Sequence, residues 1–260
     1  GITDGYGVIS VEARGIEAVT AFMIGEPADQ DDADLARYGL YVLPDAMALS
    51  SVDGEQQLQV YLPDATDVAA DPETLYFIGN DAVVNVGATG LITPLSDGVS
   101  TVTVIHKMSE WVVRVLADTP VDQPPAPTTL DAAGGLVRET TAEILFGVPQ
   151  GGLSDATDIT ITPMTAGELS RPVVAPFEFV TAFSLDLSGA RLTERPQLSL
   201  PAGSLAAGST LVVHVAGELP DGAGGLQDAW LQIEVMEVGD DGIARTTSPH
   251  GLPGLLEGGE

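Results

Sequence analysis

One sequence pattern occurs twice, first as Pro149-Gln-Gly-Gly-Leu-Ser-Asp-Ala-Thr-Asp-Ile-Thr-Ile161 and again as Pro201-Ala-Gly-Ser-Leu-Ala-Ala-Gly-Ser-Thr-Leu-Val-Val213. Aligned without a gap, the two stretches share a Pro, a Gly and a Leu: Pro149 with Pro201, Gly151 with Gly203, and Leu153 with Leu205. In both, an alternating apolar segment precedes the Pro and another ends the stretch. A repeated unit of strand, Pro-x-Gly turn and strand predicts a β scaffold and carries no reaction chemistry.

Glycine (30 residues) and proline (18) recur along the whole chain of 260 residues. Long helices do not tolerate that spread, whereas short strands joined by frequent turns do. The alternating segments Gln57–Leu62, Ser100–Ile105 and Trp111–Leu116 are typical of strands. The predicted fold class is therefore all-β, with tandem antiparallel β-sandwiches joined by a Pro-rich linker.

The first half of the chain has three predicted parts. Residues 1–25 alternate but are too few for a domain, so we interpret them as strands of a preceding or incomplete module. Residues 26–37 are acidic and poor in large apolar groups, which predicts a linker, with Asp31–Tyr38 as a weak helix candidate. Residues 38–117 form a run of short strands typical of an antiparallel sandwich.

The second half also has three predicted parts. Residues 118–132 carry four prolines, which predicts a semi-rigid extended spacer. Residues 133–254 alternate again, with a predicted strand at Phe177–Leu187, and indicate a second sandwich. Residues 255–260 are interpreted as a tail.

Acidic residues dominate the charge, because 38 Asp and Glu face 9 Lys and Arg, for a formal net charge of −29. Lys107 is the single lysine of the sequence. Such a surface repels nucleic-acid phosphates and anionic lipids, so neither is an expected partner. The excess carboxylate either attracts divalent cations or keeps the protein soluble.

The sequence contains no cysteine, which excludes disulfides, thiolate metal sites and thiol nucleophiles. It also contains no run of about 20 apolar residues, so no membrane span is predicted. The first residues, Gly1-Ile-Thr-Asp-Gly, lack the basic and apolar regions of a signal peptide. Gly1 in place of Met predicts a segment taken from a longer polypeptide.

Three stretches resemble successive strands and turns of one known type of domain: Asp53-Gly-Glu-Gln-Gln-Leu-Gln-Val60, Asn80-Asp-Ala-Val-Val-Asn-Val-Gly-Ala-Thr-Gly-Leu-Ile92 and Asp97-Gly-Val-Ser-Thr-Val-Thr-Val-Ile105. With them, the region from Leu40 to Ala117 resembles a bacterial Ig-like domain of group 2. The resemblance implies an extracellular or envelope-facing sandwich with no catalytic role.

The segment from about Gly134 to Gly254 resembles the ZU-five sandwich of ankyrins, netrin receptors and large bacterial surface proteins. The resemblance is carried by Ile144-Leu-Phe-Gly-Val-Pro-Gln-Gly-Gly-Leu-Ser-Asp-Ala-Thr-Asp-Ile-Thr-Ile161 and Arg195-Pro-Gln-Leu-Ser-Leu-Pro201. Some relatives cleave themselves next to a His and a Ser near the C-terminal end. Here His250 is followed by Gly251, so self-cleavage is not expected.

Calcium is the one cofactor that the sequence offers, because carboxylates at short spacing can wrap this hard cation. The candidate ligands fall in the first acidic stretch and in a later turn: Asp29, Asp31, Asp32, Asp34, Asp240 and Asp241. Neither group follows an Asp-x-Asp-x-Asp-Gly loop, so a solvated acidic loop is the alternative. No other cofactor is predicted.

Catalytic signatures are absent from the sequence. His106, His214 and His250 are far apart, which indicates isolated histidines and no zinc site. No nucleophile elbow, Walker-type loop or dinucleotide fingerprint occurs. Trp111 and Trp230 each adjoin an apolar strand, which favours core positions over a sugar-binding platform.

The function expected from these patterns is a non-enzymatic structural or adhesive segment of a bacterial extracellular surface protein, such as a filament or stalk subunit. Its partners would be like copies or neighbouring modules, and residues 1–25 are the candidate for a strand donated to a neighbour. The alternatives are a carbohydrate- or calcium-dependent binding module, or an accessory domain of a larger secreted hydrolase or toxin.

Overall fold

The structure, a computed structural model, describes residues 4–14, 16–124, 126–249 and 251–259. These residues form mainly β-strands in several sheets, with one short helix among them, so the prediction of an all-β fold is confirmed. The chain divides into two compact units, Gly1–Thr119 and Pro120–Glu260, which we call unit 1 and unit 2. Each unit has its own apolar core.

Unit 1 begins with the antiparallel hairpin of β1 (Gly5–Ala13) and β2 (Ile16–Ile24), followed by the helix α1 (Gln30–Tyr38). Its other strands are β3 (Tyr41–Leu43), β4 (Ala46–Ser50), β5 (Gln56–Gln57), β6 (Gln59–Tyr61), β7 (Thr74–Ile78), β8 (Val84–Val86), β9 (Leu91–Pro94), β10 (Gly98–His106) and β11 (Ser109–Asp118). The four-stranded sheet has the order β4-β11-β10-β7, and two smaller sheets are β5-β9-β8 and β3-β6. Strand β4 runs parallel to β11, whereas β7 and β11 are antiparallel to β10.

The core of unit 1 follows from the alternation of its two longest core strands. Val102 and Val104 of β10, and Val113 and Val115 of β11, are at most 2% exposed. Because side chains of a strand point alternately to its two faces, residues two apart share the buried face. The smaller sheets contribute further buried residues, such as Val84, to the same core.

The helix α1 lies where the acidic stretch 26–37 predicted a linker. The Asp29 side chain caps it by accepting a hydrogen bond from the Asp32 backbone N–H at 2.9 Å. Acidic residues in the first turn suit the positive end of a helix dipole, and Leu35 is buried in the unit 1 core. Acidity therefore favours the start of a helix here, and one apolar anchor holds it.

Unit 2 contains the strands β12 (Val121–Gln123), β13 (Thr128–Leu130), β14 (Gly135–Glu139), β15 (Ile144–Val148), β16 (Thr157–Met164), β17 (Ala182–Asp186), β18 (Gln197–Pro201), β19 (Thr210–Pro220), β20 (Leu226–Val238) and β21 (Ile243–Thr246). A seven-stranded sheet has the order β12-β14-β15-β18-β21-β20-β19, and a three-stranded sheet has the order β13-β16-β17. Side chains from both sheets, such as Phe146 and Ile159, form the core.

The segment 118–132, predicted as a semi-rigid extended spacer, contains two short strands, β12 and β13. Strand β12 pairs with β14, and β13 pairs with β16, so both ends of the segment are hydrogen-bonded into sheets of unit 2. Pro120, Pro124 and Pro127 lie just outside these strands, where a missing N–H breaks no ladder bond.

Both copies of the repeated Pro-x-Gly pattern place their glycine in a left-handed conformation, but their turn hydrogen bonds and their surroundings differ. Gly151 has φ of +83° and Gly203 has φ of +64°, a left-handed conformation that glycine adopts without strain. The two preceding strands, β15 and β18, pair with each other. However, Leu153 is 2% exposed, whereas its counterpart Leu205 is 39% exposed.

Two further predictions in unit 2 differ from the structure. The strand predicted at Phe177–Leu187 begins only at Ala182, and Phe177 and Phe179 are exposed in the preceding loop. The residues predicted as a tail, 255–260, include Leu255 and Leu256, which pack against the core. Leu192 donates its backbone N–H to the Leu256 carbonyl at 2.9 Å, which holds this end in place.

Candidate functional site

The four aspartates of the first acidic stretch serve the helix and its contacts. Asp29 caps α1, and Asp34 accepts a hydrogen bond from the Gln30 amide at 2.9 Å. Asp31 is exposed in the first turn. Asp32 alone of the four is buried, at 2% exposure.

Asp32 forms the best-defined charged cluster of unit 1. Lys107 donates to its Oδ1 at 2.7 Å, and the Tyr6 hydroxyl donates to its Oδ2. Burial raises the pKa of Asp32, but the hydrogen bonds from Lys107 and Tyr6 outweigh burial, so the pKa lies below its ordinary value. The hydrogen bond to Asp32 raises the pKa of Lys107. The cluster therefore holds a stable ion pair. The pKa values of Asp32 and Lys107 are shifted away from neutral pH, whereas acid–base chemistry uses groups with pKa values near it.

The second predicted carboxylate group is an ordinary turn. Asp241 accepts hydrogen bonds from the Arg245 guanidinium at 2.6 and 3.0 Å and from the Ile243 backbone N–H at 3.0 Å. The bond to Arg245 lowers the pKa of Asp241. Asp240 is exposed beside it.

No metal site is assembled in the part of the chain that the structure describes. Within it, no group of three or more His, Cys, Asp or Glu side chains lies close enough to hold a metal ion. Asp32 and Asp241 already face cations of the protein itself. Calcium binding by the six aspartates stays a prediction, with no cage of oxygen ligands to support it.

The histidines and tryptophans lie apart from one another. His106 is 3% exposed in unit 1, with Nδ1 2.9 Å from the Thr74 hydroxyl, and burial lowers its pKa. His214 lies in unit 2, where its ring meets the Phe177 ring edge-on at 5.1 Å. Trp111 packs against the core of unit 1 as predicted from its strand. His250 lies outside the described residues.

Buried glutamates in unit 2 hold backbone turns. Glu139 accepts the backbone N–H groups of Thr141 and Ala142 at 3.0 and 2.7 Å. Glu234, 2% exposed, accepts those of Val235 and Ser248 at 2.9 and 3.0 Å. Burial raises the pKa of Glu234 despite these bonds. Both side chains therefore have structural partners.

An apolar cleft of about 800 Å³ opens in unit 2. Its walls are β19 residues 210–215, the loop before β17, and Leu205 of the repeated turn. Leu211 and Val213 also pack against the unit 2 core, so the cleft adjoins that core. The polar groups at the cleft include Arg171 and Asp228, which pair with each other at 3.5 Å.

The loop that closes one side of the cleft is attached at its start. Arg171 donates to the carbonyls of Gly217 and Ala229, both at 2.7 Å, and lies over the Trp230 ring at 5.7 Å. Trp230 in turn donates its indole N–H to the Pro172 carbonyl at 3.1 Å. Trp230, predicted as a core residue, therefore lines the cleft and anchors the loop.

Beyond Pro172 the loop is exposed although it is apolar. Val174, Phe177, Phe179 and Val180 are 40 to 53% exposed. Sequence reasoning missed this feature because it assigned Phe177, Phe179 and Val180 to a strand with one buried face. Pro172 and Pro176 lie just before the predicted strand, so they indicated an irregular segment only up to its first residue.

The hairpin of β1 and β2 presents a second exposed apolar surface, which we call the hairpin face. The register pairs Gly7 with Phe22 and Ile9 with Thr20, which places these residues on one side of the hairpin. Its described residues are Gly5, Gly7, Ile9, Val11, Ala13, Ala18, Thr20, Phe22 and Ile24, none of which is charged. Ile9 is 54% and Val11 is 64% exposed. Phe22 lies over Gly7, where an added Cβ would meet its ring at 2.4 Å.

The opposite side of the hairpin faces the rest of unit 1. Strand β2 lies against β7, β10 and β11. The Ala21 backbone N–H donates to the Glu110 carboxylate at 2.8 Å, and Tyr6 reaches Asp32. The hairpin is thus held on one side and leaves the hairpin face uncovered in the described chain.

In the described residues, no helix combines the length and apolar character needed to cross a membrane. No family model and no curated protein matches this chain. Among solved structures, it is similar to the crystal structure of the S-layer protein rSbsC, with 11% sequence identity and a TM-score of 0.24. The alignment covers 98% of this chain and 49% of that one, so the chain spans about half the length of rSbsC. A likeness at this TM-score supports no statement about fold or function.

Proposed function

We propose that this protein is a non-enzymatic structural segment of a bacterial extracellular surface protein, which assembles with like copies into a filament or stalk. The observation that carries the proposal is the hairpin face. A chain with a net charge of −29 has enough carboxylates to place charged residues on every surface that faces only solvent. It nevertheless leaves Ile9 and Val11 more than half exposed on a face without described charges. Contiguous exposed apolar surface of this kind marks sites of protein interaction.

The charged groups of the molecule are consistent with this proposal. Four carboxylates with shifted pKa values, Asp32, Glu139, Glu234 and Asp241, each accept hydrogen bonds from the protein itself. They stabilise a helix, a loop and two turns, and they do not converge on one cavity. In this proposal, residues 38–117 form an Ig-like sandwich and residues 133–254 form a ZU-five-like sandwich, both serving as spacers.

Self-association in solution tests the proposal. Sedimentation velocity over a range of protein concentrations should show assembly that strengthens with added salt, because salt screens the repulsion between copies of net charge −29. Val11→Glu should weaken assembly, while Val52→Glu, at a 71% exposed valine elsewhere in unit 1, should not. A chain that stays monomeric at every concentration and salt level would contradict the proposed function. Antibody labelling of intact producing cells tests the surface location.

A carbohydrate-binding module is the second candidate, because Trp230 and Phe177 both line the cleft of unit 2. Aromatic faces provide large contact area for ring-shaped ligands. Glycan binding by the wild-type chain that is lost in Phe177→Ala, in the absence of any self-association, would favour this function over assembly.

A further inference from the structure

We propose that the hairpin of β1 and β2 in one copy docks into the unit 2 cleft of a second copy, with the outer edge of β1 alongside β19. This inference rests on the proposed function, since it names the partner and the acceptor site of the assembly. It commits to a head-to-tail contact between two different surfaces of the same chain.

The cleft contains an open sheet edge. Strand β19 is the last strand of its seven-stranded sheet, and no described strand pairs with its outer side. Six consecutive residues, 210–215, line the cleft. Because successive side chains point to opposite faces, a cleft that touches all six runs along the edge of the strand. Unpaired N–H and C=O groups at such an edge are a template for a further strand.

The repeated turn indicates that this part of the core lacks a cover. Leu153 and Leu205 hold equivalent positions after the two Pro-x-Gly turns. Leu153 is 2% exposed within the unit 2 core, whereas Leu205 is 39% exposed at the cleft. The leucine at this position of the pattern is therefore covered by the core in the first copy and partly exposed to solvent in the second. An apolar side chain from outside would bury Leu205 as the core buries Leu153.

The hairpin matches the cleft in length, polarity and edge geometry. Strand β1 has nine residues, roughly 30 Å, and β19 has eleven. The β2 edge of the hairpin contacts Glu110 through Ala21, so the β1 edge is the one open for pairing in the described chain. The hairpin face then provides Ile9 and Val11 for the apolar cleft. Strand addition of this kind takes affinity from main-chain bonds and specificity from alternate side chains.

Electrostatics favours these two surfaces as the meeting point of two copies. Like-charged chains repel across most of their surfaces, and the repulsion is least where neither surface carries net charge. The hairpin face has no described charge, and at the cleft Arg171 offsets Asp228, which leaves Glu178 as a single carboxylate opposite an uncharged surface. Because the two surfaces differ, the contact is head-to-tail, and it generates open chains of copies when its rotation does not close into a ring.

Charge substitutions in separate copies test the pairing. Ile9→Glu alters the donor, and Leu205→Glu alters the acceptor, both at exposed positions that folding tolerates. Each variant alone should associate at least about tenfold more weakly than wild type, since burying one such side chain is worth about a tenfold change in Kd. An equimolar mixture should form heterodimers, because one copy keeps an intact hairpin and the other an intact cleft. A mixture that stays as weak as its components overturns the pairing.

The absence of cysteine allows a direct second test. A copy carrying Ile9→Cys, mixed with a copy carrying Leu205→Cys, should give a disulfide-linked heterodimer on mild oxidation. Val52→Cys in place of Ile9→Cys is the control and should give none above background. Equal cross-linking of both, or an intramolecular bond in the Ile9→Cys/Leu205→Cys double variant as the main product, overturns the inference. If wild type assembles while these variants behave like the control, the assembly function stands and the named acceptor is wrong.

Discussion

Removal of the single lysine is the sharpest test of how unit 1 is held together. Lys107 is the cation beside Asp32, whose side chain is 3% exposed, while the Lys107 side chain is 25% exposed. Lys107→Met keeps most of the apolar stem and leaves Asp32 as a buried charge without its ion-pair partner. Removing one partner of a fully buried pair costs about 3–5 kcal/mol.

The expected cost here is lower than that range for two structural reasons. Tyr6 still donates to Asp32, and the partial exposure of Lys107 lets water approach the vacated position. We therefore expect Lys107→Met to reduce the free energy of unfolding of unit 1 by about 2 kcal/mol. In urea this moves the midpoint of the unit 1 transition down by about 1 M.

Arg14→Met is the matched control. Arg14 has φ of +57° and Lys107 has φ of +54°, so both substitutions place Met in the same left-handed conformation and remove one positive charge. Arg14 is exposed, and its replacement should cost less than about 0.5 kcal/mol. The double variant Asp32→Asn/Lys107→Met should recover part of the loss, because no buried charge remains.

The pH dependence of the stability of unit 1 tests the contribution of the Asp32–Lys107 ion pair independently. The pKa of Asp32 is lowered in the folded protein from its ordinary value of 3.8, so its ion pair stabilises the fold above that pH. This contribution is lost as the pH falls through the folded-state pKa. The difference between wild type and Lys107→Met should therefore be largest near pH 7 and shrink in acid. Equal costs for Lys107→Met and Arg14→Met at pH 7 would refute the reasoning.

Three further outcomes are expected. Phe146→Ala, at a position of 0% exposure, should lower the unit 2 transition by about 3–5 kcal/mol and leave the unit 1 transition in place by calorimetry; a shift of both would contradict separate cores. Because burial lowers the pKa of His106, unit 1 should lose stability as the pH falls below 6.5, by at most about 1.4 kcal/mol per pH unit, and His106→Asn should flatten this slope in urea titrations. Calcium at millimolar concentration should leave the melting temperature unchanged relative to EDTA, because Asp241 already pairs with Arg245; a rise that Asp241→Asn abolishes would establish a site.

The strands could be predicted because alternation is a local property of the sequence. The parity of Val102, Val104, Val113 and Val115 is visible in the sequence, and these residues form the core of unit 1. The role of Asp32 could not be predicted, since its partner Lys107 is 75 residues away and the pairing depends on the folded chain. An acidic stretch alone is equally compatible with a loop, a helix start or a calcium site.

The cleft could not be predicted for a different reason. It exists because no described strand pairs with the outer edge of β19 and because Leu205 stays 39% exposed. A missing strand partner leaves no pattern in the sequence of the residues that it would contact. Leu205 looks like Leu153 in the sequence. The residues 1–25 were predicted as candidate donor strands from alternation alone, and the structure adds which side of the hairpin is free of charge.

The parallel pairing of β4 with β11 determines how unit 1 responds to force. Ala46 pairs with Arg114 and Ser50 with Asp118, so the two strands run side by side in the same direction. A pull applied upstream of Ala46 and downstream of Asp118 slides the strands past each other along their common axis. The hydrogen bonds between β4 and β11 are then loaded in shear. Because they are evenly spaced, they must rupture together, whereas the bonds of a hairpin pulled apart from its open end break one after another. For a pull in this direction, the β4–β11 pair is the part of unit 1 that resists extension.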